Sequence, residues 1–147
     1  MRVETQGRVV SLIRFEESYR RFPYRCTAGK LTVGIGRNLD DKGVSLDEAR
    51  YLCVNDIFEV ESALTKAFKW FVYLDAVRRG VLISMGFQMG VPGLLKFVRT
   101  LGAVGRGDYD FAAKCMLESE WAKQTQARAL RASEMMRTGE WCKEIEE

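Results

Sequence analysis

Between about Gly7 and Arg21, apolar side chains return at three- and four-residue steps. Val9, Leu12, Phe15 and Tyr19 form one stripe, and Val10, Ile13 and Glu17 continue its neighbour. This spacing predicts a first helix, which Pro23 is expected to end. From Pro23 to Gly43 the chain is glycine-rich, with a β-branched run around Leu31 to Ile35. That stretch reads as a short β-hairpin or small sheet followed by a polar loop. The helical period returns at Ser45. Ser45-Leu46-Asp47-Glu48 has the S-x-x-E form of a capping box, and Leu46, Ala49, Cys53, Ile57, Val60 and Leu64 follow on one stripe. A helix of about twenty residues is expected there.

Further helical patterns run from about Tyr73 to Met89, Leu94 to Val104, Asp108 to about Trp121, and Lys123 to Arg137. Gly90-Val91-Pro92-Gly93 separates two of them, Gly105-Arg106-Gly107-Asp108 supplies a turn and an N-cap, and Gly139 supplies a C-terminal stop. The expected fold class is α+β and mainly helical, with a small N-terminal β-hairpin or sheet and a C-terminal helical lobe. Residues 1–147 are expected to form one domain without a separate module. A cleft between the two parts would be the default place for a ligand.

An apolar content of 47% suffices for one ordinary core. The first residues form no apolar signal segment, and no later stretch approaches about eighteen uninterrupted apolar residues. The expectation is a protein made in soluble form, without stable membrane insertion. Twenty-three basic against twenty acidic residues give a net charge of +3. That balance is too mild to argue for nucleic acid, but it suits an anionic polymer. Cys26, Cys53, Cys115 and Cys142 lie far apart in sequence, with no CxxC spacing. They read as reduced thiols, the last three buried as small apolar residues.

The chain has no histidine. Ser-His-Asp hydrolases, Cys-His peptidases and HExxH metalloenzymes all need an imidazole and are therefore excluded. If the chain is a hydrolase, carboxylates must move the protons. Glu16 and Glu17 end the first helix just before the glycine-rich segment, and each continues an apolar stripe, so periodicity does not choose between them. Taken alone, either is an ordinary solvated surface residue.

Glu17, eight residues, Cys26, five residues, Thr32 and then Val33-Gly34-Ile35-Gly36 resemble the Glu-x8-Asp-x5-Thr signature of the phage lysozymes, glycoside hydrolase family 24. Tyr24 and Gly29 fall where that family has a tyrosine and a glycine. Leu74 to Arg79, Phe87 to Gly90, Ser119 to Arg131 and Arg137 to Trp141 are similar to later family segments, so the resemblance covers about Ser11 to Trp141.

The resemblance implies a peptidoglycan-degrading endolysin with catalytic Glu17, Cys26 and Thr32. Glu17 would be the general acid, its carboxyl kept protonated in a partly desolvated cleft, and Arg128 would orient it. Thr32 would position the attacking water. Phe87 and Gln88 are candidate sugar contacts, although a helix C-terminus packed in a core accounts for them as well. Trp121 and Trp141 read as core. No cofactor or metal is implied. The implied partner is bacterial peptidoglycan, met by a monomer made in the infected host cytoplasm. It would act in the periplasm or cell wall, helped across the membrane by a separate holin-like protein.

Three departures from the family pattern stand out. The usual aspartate is Cys26, the histidine that commonly follows the G-x-G turn is Arg37, and the linker before the Ser45 helix is shorter than in the T-even members. Cys26 can replace a carboxylate only as a thiolate, acting as base or nucleophile. It is otherwise a small inert cysteine. Three functions stay open: a muramidase cutting between N-acetylmuramic acid and N-acetylglucosamine, a lytic transglycosylase giving a 1,6-anhydro product, and a non-catalytic peptidoglycan binder.

Overall fold

In the computed structural model, which describes residues 3–145, helix α1 spans Val3–Glu17. It begins before Gly7 and stops four residues short of Arg21, so the expected span is corrected at both ends. The stop is made by Ser18, whose φ of 64° is left-handed and whose N–H donates to the Arg14 carbonyl at 2.8 Å. Pro23 does not end the helix; it lies inside strand β1 (Arg20–Arg25). Pairing overrides the punctuation here. β1 runs antiparallel to β2 (Leu31–Gly34), with Arg20 opposite Gly34, Tyr24 opposite Thr32, and a bulge between Arg20 and Tyr24. Proline is tolerated at such a bulge on an edge strand because no ladder hydrogen bond is demanded of it.

Strand β3 (Arg37–Asn38) completes a sheet of order β1-β2-β3. Helix α2 (Leu39–Lys42) follows at once, capped by Asn38, whose side chain accepts from the Asp41 N–H at 3.0 Å. Helix α3 spans Leu46–Ala67. The Ser45 hydroxyl accepts from the Glu48 N–H at 3.2 Å, and Glu48 accepts from the Ser45 N–H at 3.3 Å. Both halves of the expected capping box are present.

The left-handed serine after α1 carries backbone strain, because a Cβ at positive φ crowds the following carbonyl. Ser18→Gly is expected to raise the unfolding free energy by about 1 kcal/mol. Urea melts of the two proteins check this, and an unchanged midpoint would count against strain at that position.

Contacts divide the chain into two compact units, Met1–Tyr51 and Leu52–Glu147, with the division falling within α3. In the second unit a 3-10 turn (Phe71–Tyr73) precedes α4 (Ala76–Met89). The expected start at Tyr73 moves to Ala76 because Asp75 caps the helix, accepting from the Arg78 N–H at 3.0 Å. The expected separator is itself partly helical, as α5 (Val91–Leu94) with a proline in its first turn, and the pattern from Leu94 to Val104 forms a helix only from Val98, as α6 (Val98–Gly105). Asp108 caps α7 (Tyr109–Leu117), and Ser119 restarts the chain as α8 (Glu120–Gln124). Helix α9 (Gln126–Thr138) ends at Gly139, as expected.

The core belongs to this second unit: Leu64, Phe71, Val81, Leu82, Met85, Leu94, Val104, Met116 and Met136 are fully buried. Each such aliphatic or aromatic side chain contributes about 1.5–3 kcal/mol by leaving water. Together the units form a mainly helical α+β fold with a small antiparallel sheet.

Two sequence expectations about burial are corrected, for the cysteines and for Trp141. Cys53 is exposed and Cys142 half-buried; of the three cysteines expected to be buried, Cys115 alone is. On the α3 stripe, Leu46, Ala49 and Cys53 are exposed, Ile57 and Val60 are half-buried, and Leu64 is buried. Periodicity marks an apolar face but does not say how far along the helix a core extends. Trp141 is 52% exposed. It lies beyond the Gly139 stop and rests one edge of its ring on Gly80, where a Cβ would come within 2.6 Å of the indole.

Candidate active site

Glu17 is the last residue of α1, and Ser18 turns the chain immediately after it. The Glu17 side chain lies over Gly36 in the turn between β2 and β3. A Cβ built there would meet its Cγ at 3.1 Å, its Cδ at 3.2 Å and its Oε2 at 3.3 Å. The first helix and the glycine turn, separated in sequence by β1 and β2, are thus brought together at this carboxylate. Glu17 is exposed to solvent elsewhere.

Cys26 stands where β1 becomes the hairpin loop. Its N–H donates to the Lys30 carbonyl at 3.0 Å, and its own carbonyl accepts from the Gly29 N–H at 2.8 Å, closing a tight loop over Thr27, Ala28 and Gly29. Hydrogen bonding from the Lys30 and Ala28 backbone N–H groups holds the Cys26 thiol below its ordinary range. Partial burial opposes this, and the Thr32 hydroxyl adds to it. Backbone donors gathered around a side chain in this way favour its anionic form, whether carboxylate or thiolate. An inert buried thiol would be pushed the other way.

Thr32, on β2, is 4% exposed, and its hydroxyl donates to the Lys30 carbonyl at 2.9 Å. A hydroxyl carries a single hydrogen, so Thr32 supports a thiolate only by turning away from that carbonyl.

The hairpin loop is held from below by α2. The Leu31 N–H donates to Asp40 at 2.7 Å, Arg25 reaches both Asp40 (3.3 Å) and the Gly29 carbonyl (3.2 Å), and the Lys30 ammonium pairs with Asp41 at 3.0 Å. Sequence reasoning passed over Asp40 and Asp41 as part of a polar loop. The usable signal was Asn38 three residues before Asp41, a spacing typical of a capped turn.

Arg37, where the family commonly has histidine, has a structural task. Its guanidinium forms a two-pronged pair with Glu48, at 2.7 Å on each prong, and also donates to the Gly43 carbonyl at 3.2 Å. The pair ties β3 to the first turn of α3 and holds the Glu48 carboxyl below the usual range. Because that value is lowered on folding, its contribution to stability is present above the unfolded glutamate value and is lost as pH falls through the folded one. Glu48→Gln keeps a side chain suited to the capping box but removes the charge. Its unfolding midpoint is therefore expected to vary less between about pH 5 and pH 3 than that of the parent. Thermal melts across that range check this, and parallel curves for the two proteins would refute it.

Phe87, Gln88 and Arg128 belong to the helical unit. Phe87, near the end of α4, is 47% exposed, so it is not a packed core residue. Gln88 is exposed, but its amide oxygen accepts from the Trp121 indole N–H at 2.8 Å. Trp121 is buried as expected and lines a cavity of about 460 Å³ with Phe97, Thr100 and Cys115. Arg128 is half-buried and donates to the Ser84 carbonyl and hydroxyl at 3.1 and 3.0 Å.

Comparison with known proteins covers all of these positions. The family model for phage lysozyme matches residues 14–138. The pre-baseplate central spike protein Gp5 of Enterobacteria phage T4 is 32% identical over 114 residues, which is 74% of this chain and 20% of that protein. The chain thus spans about a fifth of the length of the spike protein. Probable T4-type lysozyme 1 of Dictyostelium discoideum is 26% identical over 163 aligned residues, covering 89% of this chain and 94% of the relative. With the family match running from the last turn of α1 to the end of α9, the chain belongs to the phage lysozyme family of glycoside hydrolases.

Proposed function

We propose that this chain is a peptidoglycan-degrading endolysin that hydrolyses the β-1,4 bond between N-acetylmuramic acid and N-acetylglucosamine for host cell lysis. The observation that carries this reading is the tight loop at the second catalytic position, where the Cys26 N–H donates to the Lys30 carbonyl at 3.0 Å and the Gly29 N–H to the Cys26 carbonyl at 2.8 Å, a setting that lowers the thiol's pKa. Family membership supports the reaction class.

In this reading Glu17 protonates the glycosidic oxygen as the bond to the anomeric carbon breaks. The Cys26 thiolate then either removes a proton from a water aligned by Thr32 or attacks the anomeric carbon itself, to be displaced by that water in a second step. Arg128 orients the acid, and Phe87 and Gln88 contact the sugars. The same proposal includes a monomer made in the infected host cytoplasm and acting at the wall, with passage aided by a separate membrane-permeabilising protein. No helix among the described residues is long and apolar enough to cross a membrane.

The test is digestion of purified peptidoglycan followed by mass analysis of the products. Muropeptides with reducing N-acetylmuramic acid ends are the expected result. Products lighter by one water identify a transglycosylase instead, and intact glycan identifies a binder; either result overturns the proposal.

A further inference from the structure

Within its own unit, no hydrogen bond or ion pair among the described residues fixes the Glu17 carboxylate. Inside this unit, a glutamate side chain with three rotatable bonds is limited by what it packs against. Here that surface is Gly36, whose missing Cβ leaves a slot filled by the Glu17 Cγ, Cδ and Oε2. The turn provides its own control. Gly34 and Gly36 share a φ of 70°, yet a Cβ at Gly34 would meet nothing within 4 Å, whereas one at Gly36 would crowd three Glu17 atoms at 3.1–3.3 Å.

We propose that Gly36 is a positioning residue that limits where the Glu17 carboxylate can lie, through the open slot at its Cα. This rests on the reading of Glu17 as the general acid. An alanine methyl at position 36 makes the flexible, exposed Glu17 side chain give by a few tenths of an ångström, at little cost in stability, and so shifts the proton donor relative to the glycosidic oxygen. Misplacement of a reacting group by about 1 Å can cost on the order of 100-fold in rate.

Gly34→Ala and Gly36→Ala impose the same left-handed strain and are expected to lower the unfolding midpoint alike. They part in turnover. For Gly36→Ala, kcat on peptidoglycan falls severalfold below that of Gly34→Ala, while KM changes little. A third variant separates strain from crowding. D-alanine at position 36, introduced on a synthetic 26–52 segment joined at Cys26 and Cys53, suits the positive φ and puts its methyl on the opposite side of the Cα. It is expected to keep parental kcat and also serves if the L-alanine variants fold poorly.

Equal kcat for Gly34→Ala and Gly36→Ala, or a D-alanine variant as impaired as Gly36→Ala, overturns the inference. Glu17→Gln is measured alongside. If it is inactive, either result counts against Gly36 alone. If it retains turnover, the reading of Glu17 as the acid fails and the positioning role fails with it.

Discussion

Glu17→Gln is expected to lower kcat on peptidoglycan by about 10²–10⁴-fold, the range a positioned general acid contributes, while leaving the fold intact. The amide keeps the length and shape of the side chain, so it still fits over Gly36, but it has no proton to give the departing oxygen. Circular dichroism and the thermal midpoint are expected to match the parent, which separates lost chemistry from lost structure. Glu16→Gln, one position earlier on the same exposed helix end, is expected to remain close to parental activity. The reverse result, an inactive Glu16 variant with an active Glu17 variant, would mean that the register is off by one residue.

Cys26 carries the second large effect. Cys26→Ser is expected to lose most activity, because a hydroxyl of similar size stays protonated at neutral pH and is a poor base or nucleophile. Cys26→Asp is expected to retain substantial activity, because the N–H groups of Lys30 and Ala28 that lower the thiol's ionisation serve a carboxylate equally well. The pH dependence has a definite sign. In the proposed mechanism the active form is the thiolate, so the rate is expected to rise with pH through the thiol's ionisation, with that limb below the value of about 8.5 for a free cysteine. In Cys26→Asp the limb moves to lower pH.

Thiol alkylation is expected to inactivate the parent and spare the aspartate variant. Because Cys53 is exposed and Cys142 half-buried, the reaction is best run in a Cys53→Ala background, with the modified residue mapped by mass spectrometry. A fully active Cys26→Ala enzyme would remove Cys26 from the mechanism and leave Glu17 with a water at Thr32, or the transglycosylase route, as the better account.

Local chemistry was legible in the sequence wherever a residue acts on neighbours a few positions away. The Ser45–Glu48 capping box, the Asp108 cap and the Gly139 stop all form as their spacing implies, because each satisfies helix-end backbone groups within three or four residues. The spacing of Glu17, Cys26 and Thr32 was likewise legible, and with it the family. What long-range pairing decides was not. Pro23 reads as a helix stop, yet it sits in a strand because β2 captures β1 across a bulge. Cys53 and Trp141 read as core, yet they are exposed because the core gathers around Leu64, Leu82 and Met136 rather than along every apolar stripe.

The same division runs through the candidate site. Sequence named Glu17 and Cys26, but only the tertiary structure placed Glu17 over Gly36, nineteen positions later in the chain. It also turned Arg37 into a clasp for Glu48 and folded the Cys26–Lys30 loop so that its N–H groups meet a thiol. Side-chain identity supplies the reactive group. Its ionisation and aim depend on backbone dipoles and packing surfaces that come together only when distant segments close on one another.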